Sequence, residues 1–200
     1  MNSKAKKMRI GGICAIAAAL LLLGGGAFLL FNDSNEDTIT PSDFAAVGEE
    51  DSATACQNLI SKYYTAIMGE DAETLYKLMA PQEYWDYYMI SYGKTEADIV
   101  DTYEDAINNT KAQWMARCGS DAKVSFQIEA SGEQTEEFLT ELGNNMNETI
   151  GSDAITVEEA MTLSVAQTVT GSNGTLEAVK TPTLVKINSS WYIIDEGIGS

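Results

Sequence analysis

Residues 10–31 read IGGICAIAAALLLLGGGAFLLF, 22 positions without a charged or strongly polar side chain. No other stretch constrains the chain as much. A segment in hydrocarbon must pair its own amides and carbonyls, and a lone segment does so only as a helix. At ~1.5 Å per residue, a helix of this length crosses a hydrocarbon core ~30 Å thick. Eleven of the residues are Leu, Ile or Phe. Each contributes about −0.3 to −0.6 kcal/mol at the centre of a span, enough to offset several glycines. Lys4, Lys6, Lys7 and Arg9 precede the run, and the first acid is Asp33. The positive-inside bias therefore predicts a cytoplasmic basic tail over residues 1–9, a single transmembrane helix over 10–31, and the rest of the chain outside the cell.

Two other readings use the same residues. A cleaved signal peptide would take its apolar region from residues 13–23 and its cleavage site from Gly25, Gly26 and Ala27, releasing a secreted domain. The apolar run continues past that site through Phe28 to Phe31, which favours retention. Lipidation of Cys14 is disfavoured, because it lies near the start of the run and follows Ile13. Residues 32–50, NDSNEDTITPSDFAAVGEE, are acidic, contain Pro41 and lack apolar periodicity, as a disordered linker does. Asp33, Asn35 and Asp37 mimic the opening of a calcium loop, but Thr38 stands where glycine is required and Phe44 where glutamate is. Beyond the four N-terminal bases, 8 Lys and Arg face 30 Asp and Glu, a formal charge of −22. Such a surface repels nucleic acid and anionic headgroups, and suits cations, basic peptides or basic protein faces.

A folded domain is expected over residues 51–200. Cys56, Leu59, Ile60, Tyr63, Tyr64, Ile67 and Met68 recur at steps of three and four, one face of a helix of about four turns. Gly69 is placed to end it, and Asp71 to cap a second helix carrying Leu75, Tyr76, Leu78 and Met79, stopped by Pro81. Next comes EYWDYYMISYG, with Tyr84, Trp85, Tyr87, Tyr88 and Tyr92 within nine positions. On a helical wheel Tyr84, Trp85, Tyr88, Met89 and Tyr92 share a face, and Tyr87 and Ile90 fall opposite. Thr95 and Asp98 form a capping box for a further helix that ends near Gly119. The period then becomes two. Val124, Phe126 and Ile128 mark a half-buried strand, and residues 135–145 a short helix with Phe138, Leu139 and Leu142 inward. Met161, Leu163, Val165 and Val169 mark a second strand, and residues 171–174 a tight turn. Residues 175–187 return as a strand with Pro182 demanding an edge or a bulge. Residues 188–190 turn into a last strand from Trp191. Helices first and an antiparallel meander last make this α+β, with helices packed on the sheet.

Three stretches resemble the nuclear transport factor two-like superfamily: CQNLISKYYTAIMGEDAETLYKLM as its opening helix pair, AMTLSVAQTVTGSNGTLEAVKTPTLVKI as its long paired strands, and VKINSSWYIID as its closing hairpin. The resemblance implies a curved antiparallel sheet wrapped around helices to form a cone. Its isomerase and dehydratase branches use Asp, His and Tyr around the cavity. This chain has no histidine, no residue matches such a motif, and no catalytic role carries over.

Absence of histidine removes Ser-His and Cys-His nucleophile pairs and His-ligated zinc. The three cysteines, one of them in the apolar run, cannot build an all-Cys zinc site, and no phosphate-binding glycine loop is present. Glu136 with Glu137 and Glu158 with Glu159 are adjacent pairs, which read as solvated faces, while a carboxylate dyad assembled by the fold stays open. No metal and no cofactor are expected. Cys56 and Cys118 fall outside the membrane, where a disulfide persists, and two separate buried thiols fit equally. The Asn-x-Ser/Thr sequences at Asn108, Asn147, Asn173 and Asn188 matter only in a eukaryotic secretory route, and the short basic start reads as bacterial. For Tyr84, Trp85, Tyr87, Tyr88 and Tyr92 three uses compete: filling the core, lining a cone cavity for an apolar ligand, or meeting a protein partner. The sequence thus points to a non-catalytic, membrane-anchored extracellular domain that binds a protein partner or cell-envelope component. Small-molecule binding or sensing in the cone is the alternative.

Overall fold

The computed structural model describes residues 52–195. Residues 1–51, with the expected transmembrane segment and linker, lie outside the described residues. Among the described residues no helix is long and apolar enough to cross a membrane. The chain runs through helices α1 (Ser52–Met68), α2 (Ala72–Lys77), α3 (Gln82–Tyr92) and α4 (Glu96–Cys118), then strand β1 (Lys123–Glu133), helix α5 (Glu136–Ile150) and strands β2 (Val157–Gly171), β3 (Gly174–Lys180), β4 (Thr183–Ile187) and β5 (Ser190–Asp195). This is α+β, with helices packed against an antiparallel five-stranded sheet.

The helix boundaries follow local chemistry. Asp71 caps α2 by accepting from Thr74 N at 2.8 Å. Thr95 and Asp98 exchange the two bonds of a capping box at the start of α4, the Asp98 carboxylate taking the Thr95 amide at 2.7 Å. Helix α1 ends at Met68, directly before Gly69 as expected, while the residue that turns left-handed and two other boundaries differ from the sequence expectation. The left-handed residue after α1 is Glu70, φ 57°, rather than Gly69. Its side chain pairs with Lys111 on α4, which ties the strained corner to its neighbour. Helix α2 stops at Lys77, so Met79 is buried from a turn and not from a helix. Helix α5 extends to Ile150, because Asn147 in its last turn holds the incoming chain: its amide donates to Ile155 O (2.8 Å) and accepts from Ile155 N (2.9 Å).

Strand β2 organises the sheet. It pairs with β1 on one side and with both β3 and β4 on the other, β3 against residues 165–171 and β4 against 157–162. Pro182 falls between them. The expectation of an edge or a bulge is replaced by a break: pairing stops at Lys180 and resumes at Thr183, beside a residue with no amide proton. The Pro182 carbonyl still accepts from Leu163 N at 2.9 Å. β4 lies between β2 and β5, fully enclosed, with Leu184 and Val185 buried on opposite faces. β5 follows through a two-residue turn at Asn188 and Ser189, φ 48° and 66°, the geometry whose twist matches a hairpin. Outside it, Ile193 N donates to Leu78 O at 2.8 Å.

Side chains at 161, 163, 165, 167 and 169 point to one face of β2 and are buried. Helices α1 and α4 cover that face. Cys56 meets Met161, Tyr64 stacks on Phe126 (4.6 Å between centroids), and Cys118 meets Val169. Gln167 is in this row, 1% exposed, a polar residue among the apolar ones. Helix α5 covers the opposite face at the start of β2, where Gly143 lies against Val157.

Candidate functional site

Helix α3 begins after Pro81, whose φ of −66° suits a helix entry, and ends at Gly93 in the left-handed region (φ 60°), whose amide bonds Met89 O. Two residues later the Thr95 box opens α4. The corner between them, residues 90–98, is exposed throughout.

The aromatic residues of α3 divide along its length. Tyr84 and Trp85 are in the core. Trp85 is ringed by Tyr76 at 5.6 Å, Tyr88 at 6.0 Å, Tyr84 at 6.1 Å and Tyr103 at 6.3 Å, each nearly perpendicular to it. Edge-to-face pairs like these add about 0.5–1.5 kcal/mol each beyond their burial. Tyr76 and Tyr103 are themselves buried, so Trp85 is packed among core rings. Trp85 Nε1 is buried with no hydrogen-bond acceptor among the described residues. Tyr87 and Tyr88 are half-buried, and Tyr88 stacks on Tyr92 at 4.9 Å. Tyr92 is 51% exposed and Ile90 83%. A column of rings thus runs from the core to solvent.

The structure brings Tyr84, Trp85, Tyr88 and Tyr92 into that column and leaves Tyr87 on another side. There Tyr87 lines up with Glu83, Asp86 and Ile90 at helical spacings of three and four. Ile90, the most exposed large apolar residue described, was not among the candidate site residues. Its step of three from Tyr87 was the available signal. The shallow groove of about 390 Å³ between α5 and the start of β2, lined by Glu136, Leu139, Asn144, Asn147 and Val157 among others, contains none of these aromatic residues.

Acids surround the exposed end of α3. Residues 83–105 hold Glu83, Asp86, Glu96, Asp98, Asp101, Glu104 and Asp105 against the single base Lys94, all exposed. Glu96 binds inward, accepting from the Tyr76 hydroxyl and standing 3.8 Å from Lys77. Burial, and then that bond to Glu96, push the Tyr76 phenol up to about 12. Asp98 serves the capping box, whose Thr95 amide and hydroxyl hold its carboxyl below the usual range. No described Lys or Arg forms an ion pair with Asp101, Glu104 or Asp105. Among the described residues no group of three or more His, Cys, Asp or Glu is placed to hold a metal ion.

Two other candidates take structural places. Cys56 and Cys118 are buried thiols, and no bridge joins them. Cys56 Sγ donates to Met161 Sδ and Cys118 Sγ to Val169 O, both at 3.6 Å. Those partners are eight residues apart on β2, about 26 Å at ~3.3 Å per residue, whereas a bridge needs Cα atoms within ~7 Å. The disulfide reading gives way to that separation. The Glu158 and Glu159 pair does converge, contrary to a solvated face. A bulge between Val157 and Glu159 turns both toward Lys186, at 3.8 and 2.8 Å. Glu158 also accepts from Ser189 N (2.8 Å) and Glu159 from Ser52 Oγ (2.5 Å). Lys186, and next Ser52, hold the Glu159 carboxyl below its ordinary value. The cluster fastens the first turn of α1 to the β4–β5 hairpin. No protein-family profile matches this chain, and neither a curated protein nor a solved structure matches it.

Proposed function

We propose that this protein is a membrane-anchored, non-catalytic binding module, with residues 10–31 as its anchor, residues 32–50 as its linker and the α+β domain outside the cell. In this reading the domain is a nuclear transport factor two-like cone whose interior is filled, and it engages a protein of the cell envelope through the exposed end of α3. One observation carries the reading: the aromatic column continues past the core and ends in solvent at Tyr92. Large apolar side chains exposed together, rimmed by charge, mark interaction surfaces. The enclosure of Trp85 by rings favours a partner at the surface over a small ligand beneath it.

A photocrosslinking amino acid at position 90 or 92, introduced in living cells, tests this. A discrete adduct with one envelope protein is expected at both positions, and no such adduct at Val179, which is 62% exposed on β3. No adduct at 90 and 92, or the same adduct from 179, removes the docking surface. Protease added outside intact cells is expected to digest the domain. Survival there, with digestion after lysis, reverses the orientation.

A further inference from the structure

We infer that the outer face of the sheet is an interface with a second copy of this chain, the two related by a two-fold axis along β2. The strand registers define that face. Side chains at 161, 163, 165, 167 and 169 point to α1 and α4, so those at 162, 164, 166, 168 and 170 point the other way. Helix α5 covers this side at the start of β2, against Val157. Farther along, Gln127 and Val179 flank Ala166, and Ser125 and Glu177 flank Thr168, and all four flanking residues are exposed. The rows from Ser164 to Thr170 hold one base, Lys123 beside Thr170, and one acid, Glu177 beside Thr168, with Glu129 between rows in the bulge of β1. In so acidic a chain, this is a face that a second copy can approach without meeting its own field.

A surface that pairs with itself must be complementary to itself. Half a turn about β2 lays β1 of one copy over β3 of the other. Val179 then meets the second copy's Gln127, whose stem covers the exposed valine. Lys123 of each copy comes within one row, ~7 Å along the strands, of the other's Glu177. The contact forms twice. An axis across the strands lays β1 over β1 and β3 over β3, so Lys123 never faces Glu177. The start of the domain selects the same axis. Ser52 Oγ donates to Glu159 Oε2 near the start of β2 (2.5 Å). An axis along β2 keeps both copies' Ser52 at one end of the pair, where two N-terminal segments enter one membrane, and an axis across the strands sends them to opposite ends. That choice rests on residues 10–31 being an anchor. Three strands ~4.8 Å apart and four rows ~7 Å apart give a flat area of about 400 Å² per copy, small for a specific interface. Anchoring both copies in one membrane offsets this by raising their local concentration.

The test uses the full chain with Cys14→Ser in phosphatidylcholine liposomes, since Cys56 and Cys118 are buried. Copies with Gln127→Cys and copies with Val179→Cys are mixed and treated with a short bis-maleimide that spans sheets ~10 Å apart. A covalent dimer is expected from the mixture, much less from either variant alone, and none from Ala97→Cys, exposed at the start of α4. Lys123→Glu and Glu177→Lys should each lower the yield at least ~fivefold, and the two together should restore it. All these positions are exposed, so an unchanged Tm is expected alongside. No dimer from the mixture, equal dimer from like copies, dimer from position 97, or no rescue in the double variant overturns the inference. The α3 surface is read separately. Loss of this dimer leaves the envelope adducts at 90 and 92 in place, and absence of those adducts leaves the dimer. Release of the chain from liposomes by alkaline carbonate overturns the anchor, while the mixed crosslink still reads the interface.

Discussion

The two ends of α4 are held in opposite ways. At its C-terminal end the chain is pinned against the β2–β3 hairpin. Cys118 O accepts from Asn173 N at 2.8 Å, and Asp121 Oδ1 takes both the amide and the hydroxyl of Ser172, at 2.9 and 2.8 Å. Gly119 adopts φ 107°, where a Cβ would stand 2.5 Å from Ser172 Oγ. At its N-terminal end α4 leaves α3 through a corner, residues 90–98, that is exposed throughout. The first end is closely packed, and at Gly171 in the hairpin the Cys118 backbone carbonyl leaves no room for a Cβ. The second leaves apolar side chains in water, which folding alone does not explain. Substitutions should therefore separate the two: loss of stability with binding intact at one end, loss of binding with stability intact at the other.

Gly171→Ala should have the largest effect. The added Cβ would run into the Cys118 carbonyl and stand 3.2 Å from Ala122 Cα. Both are backbone atoms, so the hairpin or the end of α4 must shift. Overpacking of this kind costs about 3 kcal/mol, which for a domain of this size lowers Tm by roughly 10 °C. Thermal unfolding followed by circular dichroism measures it. An unchanged Tm would mean that the hairpin is not seated on α4 as described, and the contrast between the two ends would fail.

Acid should loosen the same end by a smaller amount. Bonds from the Ser172 amide and then its hydroxyl hold the Asp121 carboxyl below its ordinary value of 3.8. A carboxylate whose pKa is depressed in the folded state contributes stability above its unfolded value, and that contribution is lost as pH falls through the folded value. Stability should therefore decline below about pH 4, and Asp121→Asn should flatten part of that decline. Glu159, Asp98 and Glu70 are also held low, so the slope should not vanish. Denaturant titrations of both proteins across the acid range measure the difference. Identical slopes would remove Asp121 from the pinning of this end.

These contrasts also show what the amino-acid order made legible. Local signals were readable because their causes lie within a few residues. The apolar face of α1, the Asp71 cap, the Thr95 box and the turn at 171–174 each follow from neighbours in the chain. The misreadings are non-local. Alternation puts Gln167 on the same inward face as Met161, Leu163, Val165 and Val169, but its near-complete burial there comes with the flanking strands β1 and β3, which set Phe126 and Ala178 against it. The bulge that turns Glu158 toward Lys186 depends on register with β4. Cys56 and Cys118 are kept apart by which end of β2 each helix crosses. For the aromatic helix, the wheel correctly groups Tyr84, Trp85, Tyr88 and Tyr92 on one face. Periodicity reports direction around an axis and not position along it. Burial changes along α3, because the helix runs past the edge of the core, so Trp85 and Tyr92 share a face and not an environment.

The smallest change in stability is expected from Ile90→Ser combined with Tyr92→Ser. Ile90 already exposes 83% of its surface, so little burial is lost, and surface substitutions of this kind fall within about 0.5 kcal/mol. Removing exposed apolar area could even raise solubility. Tyr88 would lose its stacking partner, which bounds the cost from above at about 1 kcal/mol. The variant should unfold at the same temperature as the unsubstituted protein while giving up the adduct made by a crosslinker at Tyr87. A fall in Tm comparable to that of Gly171→Ala would show the exposed end of α3 to be part of the core's support. The opposition between the ends of α4 would then be one of degree, and Ile90 would need no partner to account for it.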